Sequence, residues 1–277
     1  VQDKGGSLSR EDLQAYRAEF HAPLDFDYRD ARFHVVPGLT AGPTFRDTFA
    51  SLETEDLGSA PGPDSYAAMA AALKGAYARR LGSMGDTGES PEAPGCTTHF
   101  SVVDRHGNMV AQTQTLLSIF GSRVVSPSTG FLMNNGIMWF DPVQGRPNSL
   151  GPNKRCLMNV CPVIGEQGEK RFAFGASGGR KILGAVAQLS SFVTDFDMSL
   201  EDSFHAPRID ASDASQLIAD EDLPRDVLDR LREDNTVAET KRTIFPYAFA
   251  CPAGVMRANG QNSGCTEIMS PWGDAIS

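Results

Sequence analysis

Cys96, Thr97 and Thr98 stand where the Pro/Gly-rich run "GSMGDTGESPEAPG" gives way to the strand-like "TTHFSVVD". A threonine hydroxyl is a weak nucleophile at neutral pH and needs a base. Cleavage of the Cys96–Thr97 bond would supply one. The freed α-amine of Thr97, with an ordinary pKa of about 8, would be held covalently beside the hydroxyl it activates. The same residues also fit a plainer account, in which a β-branched pair simply opens a strand. A second candidate lies in "FGASGGRKI", residues 174–182, where Gly178 and Gly179 separate an apolar strand from a helix start. Two glycine amides near a helix N-terminus can hold an oxyanion, or they can make a tight turn. The pattern is neither GxGxxG nor a Walker loop, which gives nucleotide binding little support. A third is "SLGPNKRCLMNVCP", a polar turn whose Lys154 and Arg155 can meet an anionic group or lie solvated.

The totals narrow the classes. A net charge of −10 over 277 residues argues against nucleic acid or an anionic membrane as the main partner. No apolar run reaches the roughly 18 residues of a membrane span. Five cysteines, an odd and widely spaced set, do not make a disulfide framework. Neither they nor the scattered histidines, His99 among them, have a zinc spacing, so no metal or organic cofactor is expected. The chain opens "VQDKGGSLSRED", without Met and without a leader-like segment, and reads as a fragment or a processed form.

The elements that would position these residues follow from periodicity and punctuation. Helices are expected over 7–20, with Ser9 as N-cap and Asp12 in the first turn, and over 43–53, 61–82, 178–196, 200–206 (capped by Ser199) and 224–234. Strands are expected over 30–38, 129–134 and 171–176, with a last pair in the tail. Residues 82–95 read as a linker. "TTHFSVVD" and "NMVAQTQTL", joined by "RHG", read as a hairpin with Gly107 at positive φ. Paired strands with helices to either side make a layered α+β fold.

In this order, "TTHFSVVDRHGNMVAQTQTL", "FLMNNG", "GPNKR", "GASGG" and "HAPRI" resemble the γ-glutamyltranspeptidase family, and "GGSLSREDLQAYRAEFHAPL" near the start is similar to it as well. The resemblance implies a four-layer αββα sandwich of the N-terminal nucleophile hydrolase type and self-cleavage between Cys96 and Thr97. Residues 1–96 would then be the end of a large-subunit-like region and 97–277 a small-subunit-like catalytic region. These would form a two-chain heterodimer, alone or as a dimer of such pairs. The family's longer N-terminal region, which includes an arginine for the glutamyl carboxylate, is missing or abbreviated in this reading. Thr97 matches the nucleophile and Thr115 its hydroxyl partner. Gly178 and Gly179 match the oxyanion-hole pair, with Ala176-Ser177 replacing the more usual Ser-Pro before them.

The pocket positions depart from the family. Leu117 stands where an Asn is usual. After Asn134-Asn135, Gly136 and Trp139 replace a Gln and an Asp. Met158 and Asn159 replace a Ser pair. A γ-glutamyl group carries an ammonium and a carboxylate, and desolvating them without partners costs several kcal/mol. The resemblance therefore implies an amidohydrolase or acyltransferase on a small amide or γ-glutamyl substrate, with an acylase of non-glutamyl amides as one alternative and a non-catalytic, uncut relative as the other. Arg155, Lys154, Arg180 and Lys181 are candidates for steering an acidic substrate. Cysteine usage leans to the cytoplasm and the resemblance to export, which leaves cytoplasm and periplasm both open.

Overall fold

The computed structural model describes residues 2–84, 96–243 and 247–276. Its centre is a six-stranded antiparallel sheet in the order β1 (Leu24–Tyr28), β2 (Ala31–Val35), β5 (Val163–Gln167), β6 (Lys170–Ser177), β10 (Cys251–Ala258) and β11 (Gln261–Thr266). The hairpin of β3 (Cys96–Val103) and β4 (Met109–Leu117) packs on one face of β5, β6 and β10. On the other face lie α2 (Gly42–Leu52) and α4 (Lys181–Asp195), with α3 (Pro63–Met84) packed on α2. A small sheet of β7 (Ile209–Asp210), β8 (Leu217–Asp220) and β9 (Val237–Thr240) joins α5 (Leu200–His205) and α6 (Arg225–Asp234) at the periphery. This is the expected layered α+β architecture, and the fold is of the αββα type. Helices, main sheet and hairpin are its layers among the described residues.

β6 shows how the sequence builds two interfaces from one strand. Its alternate residues Phe172, Phe174 and Ala176 join the helix-side core. Phe172 lies over Gly165 and Phe174 over Gly254, where any side chain would collide with the ring. Phe33 completes an aromatic cluster with Phe26, Phe45, Phe49 and Phe172. The opposite face of β6 carries small residues, Ala173 and Gly175, which let the hairpin approach closely. Every side chain of α4 from Ile182 to Thr194 is buried, the pattern of a helix enclosed on all sides. Two of its buried polar side chains are bonded locally. Gln188 donates to the Gly184 and Ile209 carbonyls and accepts from the Ile209 amide, and Thr194 donates to the Ser190 carbonyl.

Several expectations change. The helix expected over 7–20 forms only as α1 (Arg10–Ala15), although Ser9 and Asp12 make the capping box. Leu13, Tyr16 and Phe20 are exposed, and a helix with no tertiary partner for its apolar face does not propagate. Residues 129–134 are not a strand. Gly130 turns at φ +73, its amide bonds to the Ser126 carbonyl, and one isolated bridge joins Val125 to Leu132. Of the expected linker, 82–84 extend α3 and 85–95 lie outside the described residues.

Candidate functional site

The hairpin places Thr97 directly across from Thr115, with a register irregularity at Cys96/Thr97. The Thr97 hydroxyl donates to Thr115 Oγ1 at 3.3 Å, and the Leu117 amide donates to the same oxygen at 2.9 Å. Leu117 takes φ +72, a left-handed conformation that costs a β-substituted residue roughly 1–2 kcal/mol. That turn swings the Leu117 amide back to Thr115 and ends the strand. Leu117 is buried and pairs with Cys96 across the ladder.

Two anchors fix the direction of the hairpin across the sheet. At its turn, Gly107 (φ +85) sits against Arg257, and Asn262 donates to the Asp104 carbonyl. Arg257 pairs with Arg171 at the start of β6. Farther along, His99 of β3 lies on Gly175. The Thr97–Thr115 rung therefore points to the far end of β6, where Ser177 leads into Gly178 and Gly179. Those glycines have φ +138 and +62. A β-carbon on Gly178 would stand 2.8 Å from Ala250, whereas one on Gly179 would meet nothing within 4 Å. The Gly178 and Gly179 carbonyls accept from the Lys181 and Ile182 amides, so the pair forms the lead-in to α4 at the helix end that favours negative charge.

His99 was visible in the sequence only as one of the scattered histidines. Its Nδ1 lies 2.8 Å from Thr113 Oγ1 and its Nε2 2.9 Å from Ser101 Oγ. Burial disfavours the imidazolium and pushes its pKa down to about 4. The signal that could have found it is polar alternation. Thr97, His99 and Ser101 on β3, with Thr113 and Thr115 on β4, share one face of the hairpin.

The other expected pocket residues follow the exit of β4. The Asn135 amide donates to the Leu116 carbonyl. Its side chain accepts from the Ser118 amide at 3.0 Å and donates to Ser118 Oγ at 2.7 Å. Gly136 opens the 3₁₀ turn that ends at Trp139, its amide donating to Asn134 Oδ1. Buried Asn148 donates to the Trp139 carbonyl at 2.6 Å and accepts from the Leu157 amide at 2.9 Å, which links this turn to Met158. Arg80, 3% exposed and not singled out from the sequence, donates to the carbonyls of Thr40 and Met158 and reaches Asn159 Oδ1 at 3.5 Å. Thr97, Thr115, Leu117 and Asn135 are thus joined through β4, while Met158 and Asn159 are held from the α3 side.

The candidate steering cations have partners within the chain. Arg155 pairs with Glu19 at 2.6 Å, Lys154 donates to the Ser149 carbonyl, and Lys181 donates to the Tyr247 carbonyl. The Arg180 carbonyl accepts from Tyr77. Among the described residues no helix is long and apolar enough to cross a membrane, and no cluster of three or more metal-ligating side chains occurs.

The family model described as Gamma-glutamyltranspeptidase matches residues 1–94 and 87–267. The glutathione hydrolase proenzyme of Bacillus subtilis subsp. natto is 27% identical over 83% of this chain and 49% of its own length. The acylase ACY 1 proenzyme of Pseudomonas sp. (strain V22) is 28% identical over 82% of this chain and 47% of its own length. The crystal structure of cephalosporin acylase from Bacillus halodurans superposes with a TM-score of 0.85 at 23% identity, covering 97% of this chain and 55% of that one. The chain spans about half the length of the curated relatives it matches.

Proposed function

The chain belongs to the γ-glutamyltranspeptidase family, a family of hydrolases, and from that premise we propose that it cleaves itself before Thr97 and then acts on amides through an acyl-enzyme at that residue. In the first reaction the Thr97 hydroxyl attacks the Cys96 carbonyl. The C–N bond breaks, the departing nitrogen takes up the hydroxyl proton and leaves as the α-amine, and water hydrolyses the resulting ester. Residues 1–96 and 97–277 become two chains of one heterodimer. In the second reaction the Thr97 oxygen attacks a substrate amide. The α-amine takes the hydroxyl proton and returns it to the leaving amine, and the Gly178 and Gly179 amides carry the tetrahedral oxyanion. Water then releases the acid, or an acceptor amine takes the acyl group.

The observation that carries this reading is the pair of hydroxyls 3.3 Å apart on the first rung of the hairpin, directed to the end of β6 that leads into the glycine pair. The relatives' proenzyme names, glutathione hydrolase and acylase, support the two substrate classes. An uncharged acyl group is the better match, because buried Leu117 and apolar Trp139 offer no counter-charge and Asn159 is engaged by Arg80. The test is intact mass and N-terminal sequencing of the native protein beside Thr97→Ala, followed by turnover of γ-glutamyl, glutaryl and simple acyl anilides. A new terminus reading Thr-Thr-His-Phe in the native protein alone supports self-cleavage. A native chain that stays whole and turns over none of the anilides refutes the reading and leaves the non-catalytic relative.

A further inference from the structure

We propose that His99 is a positioning residue for the chemistry at Thr97: its ring is the spacer that sets the nucleophile strand against the strand leading to the glycine pair. The inference rests on the reading of Thr97 as nucleophile. The two strands carry the two halves of that site. Thr97 lies two residues before His99 on β3, and Gly178 lies three residues after Gly175 on β6. Between them the His99 ring lies so close to Gly175 that a β-carbon there would stand 2.2 Å from ring atoms Cε1 and Nδ1. The absence of a side chain at Gly175 is what admits the ring, and the ring fills the gap the glycine leaves. Such a contact is stiff, because a closely packed aromatic ring yields little before it must leave its rotamer.

The ring is also fixed in its own layer. One nitrogen faces Thr113 on the partner strand, the other Ser101 on the same strand. A neutral imidazole has one donor and one acceptor nitrogen, and a hydroxyl can complement either, so both nitrogens are satisfied without charge. Thr113 and Ser101 thus hold the ring upright across the gap between the layers. His99 touches neither Thr97 nor Thr115 in these bonds. Its influence on the reaction is the separation of the Thr97 oxygen from the 178–179 amides, and reaction rates are steeply sensitive to such separations.

The experiment measures self-cleavage rate, kcat and KM of the purified protein for Gly175→Ala, His99→Asn, His99→Ala and the double variant Gly175→Ala/His99→Ala, with circular dichroism and thermal unfolding on each. The expected result is a fall in kcat of at least about 10-fold for Gly175→Ala and His99→Ala, towards the roughly 100-fold that a misplacement of about 1 Å brings, with KM within about 3-fold of wild type. Self-cleavage slows in parallel. The double variant, whose added methyl meets no ring, recovers part of the loss of Gly175→Ala, and His99→Asn, which keeps a polar group beside Ser101 and Thr113, loses less than His99→Ala. Wild-type kcat and cleavage in folded Gly175→Ala would overturn the proposal. So would a double variant as impaired as the two losses multiplied together. If Gly175→Ala does not fold, the His99→Asn and His99→Ala pair decides: equal losses in the two overturn it. A wild-type protein that neither cleaves nor turns over amides is a different failure, which removes the nucleophile reading itself and the proposal with it.

Discussion

Replacing Thr115 by valine keeps the shape of the side chain and removes one oxygen, and the structure shows what that oxygen holds. It accepts from the Thr97 hydroxyl at 3.3 Å and from the Leu117 amide at 2.9 Å. The Leu117 side chain is buried and its backbone is left-handed, so its amide cannot turn to solvent without unwinding the end of β4. An amide left without a partner in such a place costs about 1–3 kcal/mol. Thr115 is only half-buried, which puts the expected loss in the lower half of that range, or a Tm drop of roughly 2–6 °C for a chain of this size. Thr97→Ala removes the other hydroxyl but leaves the Leu117 bond intact, and is expected to change stability by under about 1 kcal/mol. The two variants therefore separate support from chemistry. Thr97→Ala abolishes self-cleavage with little loss of Tm. Thr115→Val lowers Tm and, by removing the acceptor that orients the Thr97 hydroxyl, slows self-cleavage by about 100-fold. Thr115→Ser restores both in large part. The assay is a cleavage time course by intact mass beside thermal unfolding of the same samples. A Thr115→Val protein with wild-type Tm and wild-type cleavage would refute the reasoning, because neither bond to that oxygen would then matter.

The glycine pair should respond unequally: Gly179→Ala, at φ +62 with open space, loses about 1–2 kcal/mol, whereas Gly178→Ala meets Ala250 at 2.8 Å and loses more, as chemical denaturation would show. Arg80→Met removes the donor to the Thr40 and Met158 carbonyls and should cost about 2–4 kcal/mol, with the larger effect on amide exchange around residues 157–160. Stability should also depend on pH through His99. Its pKa is about 4 in the folded chain against an ordinary 6.5, so the unfolded chain binds the extra proton first and stability falls as pH drops from about 6.5 towards 4. Asp210, pushed up to about 6 by burial, acts in the opposite direction between about pH 6 and 4. The check is accordingly the difference between wild type and His99→Gln, in which the Asp210 contribution cancels. That difference should shrink by about 3 kcal/mol across the window, and a constant difference would contradict a buried neutral ring.

What the sequence discloses here divides by the range of the interaction behind it. The hairpin is legible because its signals are local: alternation on both strands and a glycine that takes φ +85 at the turn. α2, α3, α5 and α6 are legible for the same reason, through periodicity, Pro near the start and Ser199 as a cap. The signals in "SLSREDLQAYRAEF" are as good, down to a capping box that forms, yet the helix stops at Ala15 because Tyr16 and Phe20 have nothing to pack on. β1 and β5 escape notice although each forms a tight hairpin with the strand that follows it, since both are short and their own patterns are too brief to show a period. The site divides in the same way. Thr97 and Thr115 can be chosen from residue type and resemblance, but that they meet as one rung depends on the register of the pair. Arg80 cannot be chosen at all from the chain alone, and polar alternation marks His99 only as one member of a polar face. An isolated histidine or arginine in a sequence reads as a solvated group, and only Gly175 beneath one ring and two carbonyls around one guanidinium show that each is structural. The pocket departures follow from this. Leu117, read as the loss of a substrate contact, is also a buried residue in a left-handed turn whose amide supports Thr115. Restoring an asparagine there would relax the backbone, since Asn tolerates that conformation, while removing buried apolar surface. On the proposed function, Leu117→Asn would therefore alter the support of the Thr97–Thr115 rung and the lining of the pocket together.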